Sequence, residues 1–314
     1  MEQVFTLSFI TGLLAAMMRM ATPIIFGTLG EILSERAGVL NLGIEGIMLM
    51  GAMTGFLTTL ATGSLWLGVA AAALIGALLA LFMAFLAVYL GLSQHVSGLG
   101  ITLLSTGLAM FIYRLSVGSP VNPPTVQPFT QTAIPYLSEL PVVGPAFFTQ
   151  YTLVYWAFLL IPALWILLYR TTWGLAIRTV GENPLAADTV GINVNLVRTL
   201  CLAAGGALMG IGGAFLTLAH QNMFLIDVVG GRGWISIAMV IFGNWDPLRG
   251  AAGALIFGFL DALQLRLQGL GFDIPFHLFL LIPYLMTVVA LVSVSRRAAA
   301  PAGLLKPYRR EEKG

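Results

Sequence analysis

Residues 35–46 read Glu-Arg-Ala-Gly-Val-Leu-Asn-Leu-Gly-Ile-Glu-Gly and lie between two long apolar runs. They bring together two carboxylates, an arginine, an asparagine and three glycines, with no nucleophile beside a base. The chemistry open to them is recognition and gating of a polar solute, not bond making. Polar, glycine-rich backbone at membrane depth persists only where it is buried in protein or lines a wet cavity. Asn41 and Glu45 are four residues apart and would share one face of a helix. Both are therefore candidates to line a substrate pathway. A break at Gly43 and Gly46 would free backbone groups to face that pathway, as broken helices do in transporters. The stretch Gly230–Gly233, ahead of a short apolar run, offers a counterpart in the second half of the chain.

Further polar groups interrupt the apolar runs. His95 with Ser97, and His220 with Gln221 and Asn222, can hydrogen-bond a ribose or a base edge, and they are counted with the pathway. Arg19 and Asp261 lie near the middle of their runs, where an unpaired charge is costly. They are candidates for an intramembrane ion pair, with Glu45 as another partner for Arg19. No histidine or carboxylate pair has the spacing of a metal-ligand motif, so no metal site is expected. Cys201 is the only cysteine, which excludes intrachain disulfides and cysteine-ligated clusters. The only lysines are Lys306 and Lys313, and no Gly-x-x-x-x-Gly-Lys-Ser/Thr loop occurs. A Gly-x-Ser-x-Gly elbow is also missing. The sequence therefore describes neither an ATPase nor another enzyme. It implies no cofactor of its own, and any ATP would be bound by a partner subunit.

The elements that carry these groups are membrane helices. Hydrophobic residues make up 58% of the chain, charged residues 9%, and mean hydropathy is +0.94. Soluble domains carry about 25% charged residues. Apolar runs fall at 4–33, 45–61, 64–91, 96–116, 151–169, 198–219, 234–243, 250–267 and 275–293. The expectation is an all-α integral membrane protein, a polytopic helical bundle of about nine (8–10) transmembrane helices, with broken or re-entrant segments near 38–46 and 230–243. The first run is long enough to tilt or break, and Pro23 marks a kink. Glu2 occupies the place of a positive signal-peptide region, so the first run is expected to stay as an anchor. Rows of small residues, Gly51 and Gly55, Gly206 and Gly210, and Gly250, Ala254 and Gly258, mark close helix contacts.

Orientation follows the placement of Lys and Arg. Residues 117–150 have neither, but hold seven of the fifteen prolines, and read as an extracytoplasmic loop without regular helix. Residues 170–198 carry Arg170, Arg178 and Arg198 and read as cytoplasmic. One transmembrane domain, 1–295, is followed by a basic cytoplasmic tail, 296–314. The chain is expected in the cytoplasmic (inner) membrane, with its N-terminus outside and its C-terminus inside. Tryptophans near span ends, Trp245 among them, read as interface anchors. The tail lacks interleaved aromatics, so it suits lipid rather than nucleic acid.

Within the cytoplasmic segment, residues 181–192 read Gly-Glu-Asn-Pro-Leu-Ala-Ala-Asp-Thr-Val-Gly-Ile. Asn183 is a good N-cap, Pro184 suits the first helical position and Gly191 is a natural stop. A helix of about two turns, 184–190, follows, too short to be stable alone in water. This segment, the 35–46 stretch, and the run 231–238 followed by Ile241-Phe242-Gly243-Asn244-Trp245-Asp246-Pro247 together resemble the ABC-transporter permeases that include branched-chain amino acid, ribose and nucleoside importers. The likeness covers nearly the whole chain and is nearest the nucleoside (guanosine-type) branch. It implies that helix 184–190 is a coupling helix seated in a groove of a cytoplasmic ABC ATPase, with Glu182, Asn183, Pro184, Ala186, Ala187, Asp188 and Gly191 matching the motif. It also implies a second, similar permease chain as a heterodimeric partner, and an extracytoplasmic substrate-binding lipoprotein. The solute would be a nucleoside, with riboflavin or a simple sugar as alternatives. A secondary transporter working without ATP is the reading from a different class.

Overall fold

The structure, a computed structural model, describes residues 7–118, 120, 122–268, 285, 288, 292 and 299–309. It is a helical bundle, with seven helices among the described residues long and apolar enough to cross a membrane. These are α1 (Leu7–Arg36), α2 (Ile44–Thr62), α3 (Leu65–Ala84, extended by a π-helical turn Phe85–Tyr89) and α4 (Gln94–Val117). They continue with α6 (Thr152–Arg170), α9 (Val194–Phe215, extended by a π turn Leu216–His220) and α11 (Pro247–Gln268). Seven of the expected eight to ten spans therefore lie among the described residues. The run 234–243 is α10 (Arg232–Phe242), whose 11 residues cover only ~16 Å of a ~30 Å hydrocarbon core. The last run, 275–293, lies almost entirely outside the described residues. The first run is one continuous 30-residue helix that includes Pro23.

Burial ranks the helices. In their most apolar windows α2 is 67% and α9 is 61% buried, against 28% for α4, so α2 and α9 are central while α4 faces outward. Small residues make this possible. Gly205 of α9 abuts Gly30 of α1, Gly206 abuts Gly76 of α3, and Gly210 abuts Gly51 of α2, each pair meeting backbone to backbone. Lipid tails are as apolar as leucine, so close packing and hydrogen bonds, not water exclusion, hold such contacts.

The proline-rich loop is more regular than its composition predicts. It contains a two-stranded antiparallel ribbon, β1 (Gln131–Ala133) with β2 (Thr149–Tyr151), and one short helix, α5 (Val143–Phe147). Proline removes donors but leaves the ribbon residues free to pair. The loop lies over the end of α9: Val126 N–H donates to the Asn222 carbonyl and Phe129 N–H to that of Leu218. At the opposite end of the bundle are α7 (Thr172–Glu182), not foreseen from the sequence, and α8 (Pro184–Thr189).

Candidate functional site

Three polar assemblies lie on this frame, and the 37–43 turn between α1 and α2 joins two of them. The turn is almost wholly buried yet non-helical, so each backbone N–H needs a partner. Val39 N–H donates to the Ser34 carbonyl. Leu40 N–H donates to Gln94 Oε1 at 2.8 Å, Asn41 N–H to Glu31 Oε1 at 2.8 Å, and Gly43 N–H to Asn41 Oδ1 at 3.0 Å. Asn41 is fully buried, and its amide oxygen holds the turn. Glu31, a carboxylate inside the first apolar run, and Gln94, beside His95, do much of this work, and the sequence does not tell that either one meets the turn.

Glu45 begins α2 and ties it to α10. Its Oε1 accepts from Gly231 N–H and its Oε2 from Gly233 N–H, both at 2.8 Å. These belong to the first turn of α10, where helix N–H groups have no intrahelical acceptor and a carboxylate is favoured. The two irregular segments expected from the sequence are therefore in direct contact, with one side chain joining them.

Glu35, one turn after Glu31, accepts from the indole N–H of Trp245. Arg36 donates to the Trp245 carbonyl at 2.9 Å and to Tyr169 Oη at 3.0 Å. Trp245 is 4% exposed, so it is a core residue and not the interface anchor expected. Asn244 and Trp245 have φ of 52° and 57°, a left-handed turn that costs about 1–3 kcal/mol per non-glycine residue and lasts only when its surroundings fix it. The contacts to Glu35 and Arg36 do so. Trp245→Phe keeps an aromatic ring but loses volume and the indole N–H, stranding Glu35, and should destabilise the folded protein by at least about 1–3 kcal/mol. Thermal unfolding in detergent checks this; an unchanged melting temperature would mean the indole bond contributes nothing.

At the far end of the bundle the expected Arg19–Asp261 pair does not form. Arg19 Nε donates to Gln150 Oε1 at 2.9 Å and stacks over Tyr151, its guanidinium carbon 5.2 Å from the ring centre. Asp261 instead faces Arg232 at 3.8 Å. Chain order does not tell which helix faces α11; the short α10 brings Arg232 there. His220 ends the π turn of α9 within electrostatic reach of Arg232 and Arg19. Next to it, Gln221 Oε1 and Asn222 Oδ1 are buried without a hydrogen-bond partner. These residues form one polar group beneath the proline-rich loop. His95 is not part of it. It is exposed near the other end of α4, while Ser97, two residues on, is buried. A cavity of about 210 Å³ opens at the far end, lined by Tyr113, Arg114, Pro123, Phe224 and Leu225 among others. Tyr113 and Phe224 have ring centres 4.8 Å apart, and neither stood out in the sequence.

The 181–192 segment folds as its caps dictate. Asn183 Oδ1 accepts from Ala186 N–H at 3.0 Å, Pro184 opens the helix, and Gly191, with φ of 87°, turns the chain after it. The helix ends at Thr189, one residue earlier than expected. Ala187 is fully buried against the protein's own core. Glu182, Asn183 and Ala186 are exposed and Asp188 is half-buried, while Leu185 and Val190 leave 57% and 73% of their surface open. Arg198, expected at a cytoplasmic surface, is 1% exposed. It donates to the carbonyls of Ala37 at 3.1 Å and Lys306 at 3.2 Å. No group of three or more histidines, cysteines or carboxylates suited to a metal occurs among the described residues.

Residues 13–291 match the family described as branched-chain amino acid transport system / permease component. The chain is 41% identical to the putative glucose ABC transporter permease protein TsgC13 of Haloferax volcanii, over 97% of this chain and 99% of that one. It is 38% identical to the guanosine ABC transporter permease protein NupQ of Bacillus subtilis, over 92% and 93% of the two chains. It is 35% identical to the nucleoside ABC transporter permease protein NupC of Lactococcus lactis, over 92% and 94%. No solved structure matches the chain.

Proposed function

We propose, from the premise that this chain belongs to the family of branched-chain amino acid transport system permease components, that it is the membrane subunit through which an ATP-driven importer passes nucleosides. The chain is a multi-pass ABC permease of the cell membrane. Near full-length likeness to permeases named for glucose, guanosine and nucleosides narrows the solute to a sugar or a nucleoside. One observation favours the nucleoside. The far-end cavity is lined by the aromatic rings of Tyr113 and Phe224, tilted 45° to one another, and by Arg114. A nucleoside brings a flat base to such a wall and a ribose to the polar His220–Asn222 group, and aromatic stacking of a base contributes about 1–3 kcal/mol. A free sugar has no flat apolar face of that size. The second reading, a simple sugar, rests on the glucose-named relative.

In this reading the proline-rich loop faces the outside and receives the solute from a binding lipoprotein. The α7–α8 segment faces the cytoplasm, and α8 is seated on an ABC ATPase. Glu182, Asn183, Pro184, Ala186, Asp188 and Gly191 shape that contact, while the fully buried Ala187 holds α8 to the permease itself. A second permease chain completes the pathway. ATP closure of the motor subunits moves α8, and the motion reaches the buried turn at 37–43 and the Glu45 clamp.

Uptake of labelled guanosine by cells with and without this chain, the rest of the importer being present, tests the assignment. Unlabelled adenosine, uridine, ribose, glucose and riboflavin serve as competitors. The expected result is uptake that requires the chain and is blocked by nucleosides but not by ribose or glucose. Block by glucose alone would replace the nucleoside with the sugar.

A further inference from the structure

The described part of the basic C-terminal tail, residues 299–309, is packed on the bundle. Residues 299–309 lie across the α8 end of the bundle and touch one element after another. Ala299 N–H donates to Asn244 Oδ1 at 2.9 Å, on the turn between α10 and α11. Ala302 N–H donates to Glu182 Oε2 at 3.1 Å, and Gly303 N–H to the Gly181 carbonyl at 2.7 Å, both just ahead of α8. The Lys306 carbonyl accepts from Arg198 at the start of α9. Pro301 and Gly303 are buried, and Leu304 and Tyr308 pack on the core beneath. Gly303 has no room for a side chain: a Cβ there would stand 2.7 Å from the Gly181 oxygen and 3.2 Å from Pro184 Cδ. Gly181 in turn rests directly on the Arg36 carbonyl at the end of α1. One short segment thus bonds to the entrance of α8 on one side and to the Asn244–Trp245 turn on the other.

We propose that residues 299–306 are a mechanical link that positions α8 relative to the α10–α11 turn, so that motion of α8 is passed to α10 and the Glu45 clamp. This inference rests on the reading of α8 as the ATPase-coupling helix. Exposed loops of this length are ordinarily free to drift, and α8 has six residues and little of its own to hold it. Coupling between sites is carried where a packed element has defined partners at both ends. Residues 299–306 have them: one backbone donor on the turn side, two on the α8 side, and a buried arginine bonded to the Lys306 carbonyl beyond these. They contact no part of the far-end cavity, so their role is positioning and not solute binding.

The test uses the full-length chain in the complete importer, reconstituted in lipid vesicles, with labelled solute taken up and ATP hydrolysed both measured. Gly303→Val forces a side chain into the Gly181–Pro184 contact. Ala302→Pro removes the N–H that reaches Glu182 and also fixes the backbone angle at 302, while Ala302→Ser keeps that N–H. If the link transmits motion, solute imported per ATP falls about tenfold in Gly303→Val and by a smaller factor in Ala302→Pro, a size usual for coupling between sites. The ATPase still co-purifies with the permease, and Ala302→Ser behaves as wild type. Should Gly303→Val fail to assemble, the Ala302 pair decides. An unchanged ratio in Ala302→Pro overturns the inference. So does loss of transport, ATP hydrolysis and ATPase binding in step, which would mark the segment as mere structural support. The wild-type complex separates the two levels of the argument: a chain that imports solute without any ATPase would refute the function proposed above, whatever the variants do.

Discussion

Glu45→Ala should abolish transport while leaving the chain in the membrane. The Glu45 carboxylate is the acceptor for two N–H groups at the start of α10, those of Gly231 and Gly233. Each buried donor left without a partner costs about 1–3 kcal/mol, so the pair costs roughly 2–6 kcal/mol. α10 has 11 residues, too few for a stable isolated helix. It depends on its packing and on this clamp to hold its angle to α2. No alanine conformer reaches either donor, and the close approach of Gly233 to the Glu45 backbone leaves little space for a replacement water. The long helices α1, α2 and α9 do not depend on Glu45, so insertion should survive. Glu45→Gln keeps one acceptor and turns an NH₂ toward the other donor, and should fall between. The check is uptake alongside the amount of chain recovered from membranes. Wild-type uptake by Glu45→Ala would show that the clamp is dispensable and that the two irregular segments are held by packing alone.

The double substitution Leu185→Asp with Val190→Asp should cost about as much at the other end of the molecule, through binding and not folding. Both side chains are largely open to solvent, while the side of α8 that fixes it to the protein is the fully buried Ala187. If α8 enters a groove of the ATPase, these two residues supply the apolar area. Burying a leucine or valine contributes about 1.5–3 kcal/mol each, and so roughly 3–6 kcal/mol for the two. At ~1.4 kcal/mol per tenfold, affinity for the motor subunit should fall by about two to four powers of ten. Co-purification of the ATPase with the variant permease reads this directly. Persistent tight binding would mean that the motor docks elsewhere, and would remove the main support for calling α8 a coupling helix. The two variants also differ in kind. Disruption at Glu45 should leave ATPase binding intact, and disruption at α8 should leave the bundle intact.

Much of the fold follows from local rules. A helix at 184–189 follows from Asn183 as cap and Pro184 at the first position, because those interactions span three residues. The long apolar runs become helices because a backbone in lipid must satisfy its hydrogen bonds within the segment. The breaks at 37–43 and before Arg232 are visible as glycine and polar residues where a simple span has none. Gly51 and Gly210, flagged as small residues, meet because nothing larger allows the backbones so close.

What the sequence by itself determined, then, is everything set by near neighbours and by the solvent a segment prefers: an all-helical membrane protein, the places where its helices break, and the capped helix ahead of Gly191. Tertiary structure alone decided which polar group meets which. Arg19 and Asp261 looked like partners because each is a charge near the middle of an apolar run, yet Arg19 is bound to Gln150 and Asp261 to Arg232. Trp245 looked like an anchor at a membrane surface and is a buried donor to Glu35, 210 residues away. The residues at 299–309 read as part of a basic cytoplasmic tail, and nothing in their composition tells that they bridge Asn244 to Glu182. The physical reason is the same each time. Hydropathy and helical period report how much of a residue is buried, but a hydrogen bond between distant elements depends on the angle and depth at which helices pack, and those are set by small-residue contacts spread over the whole chain.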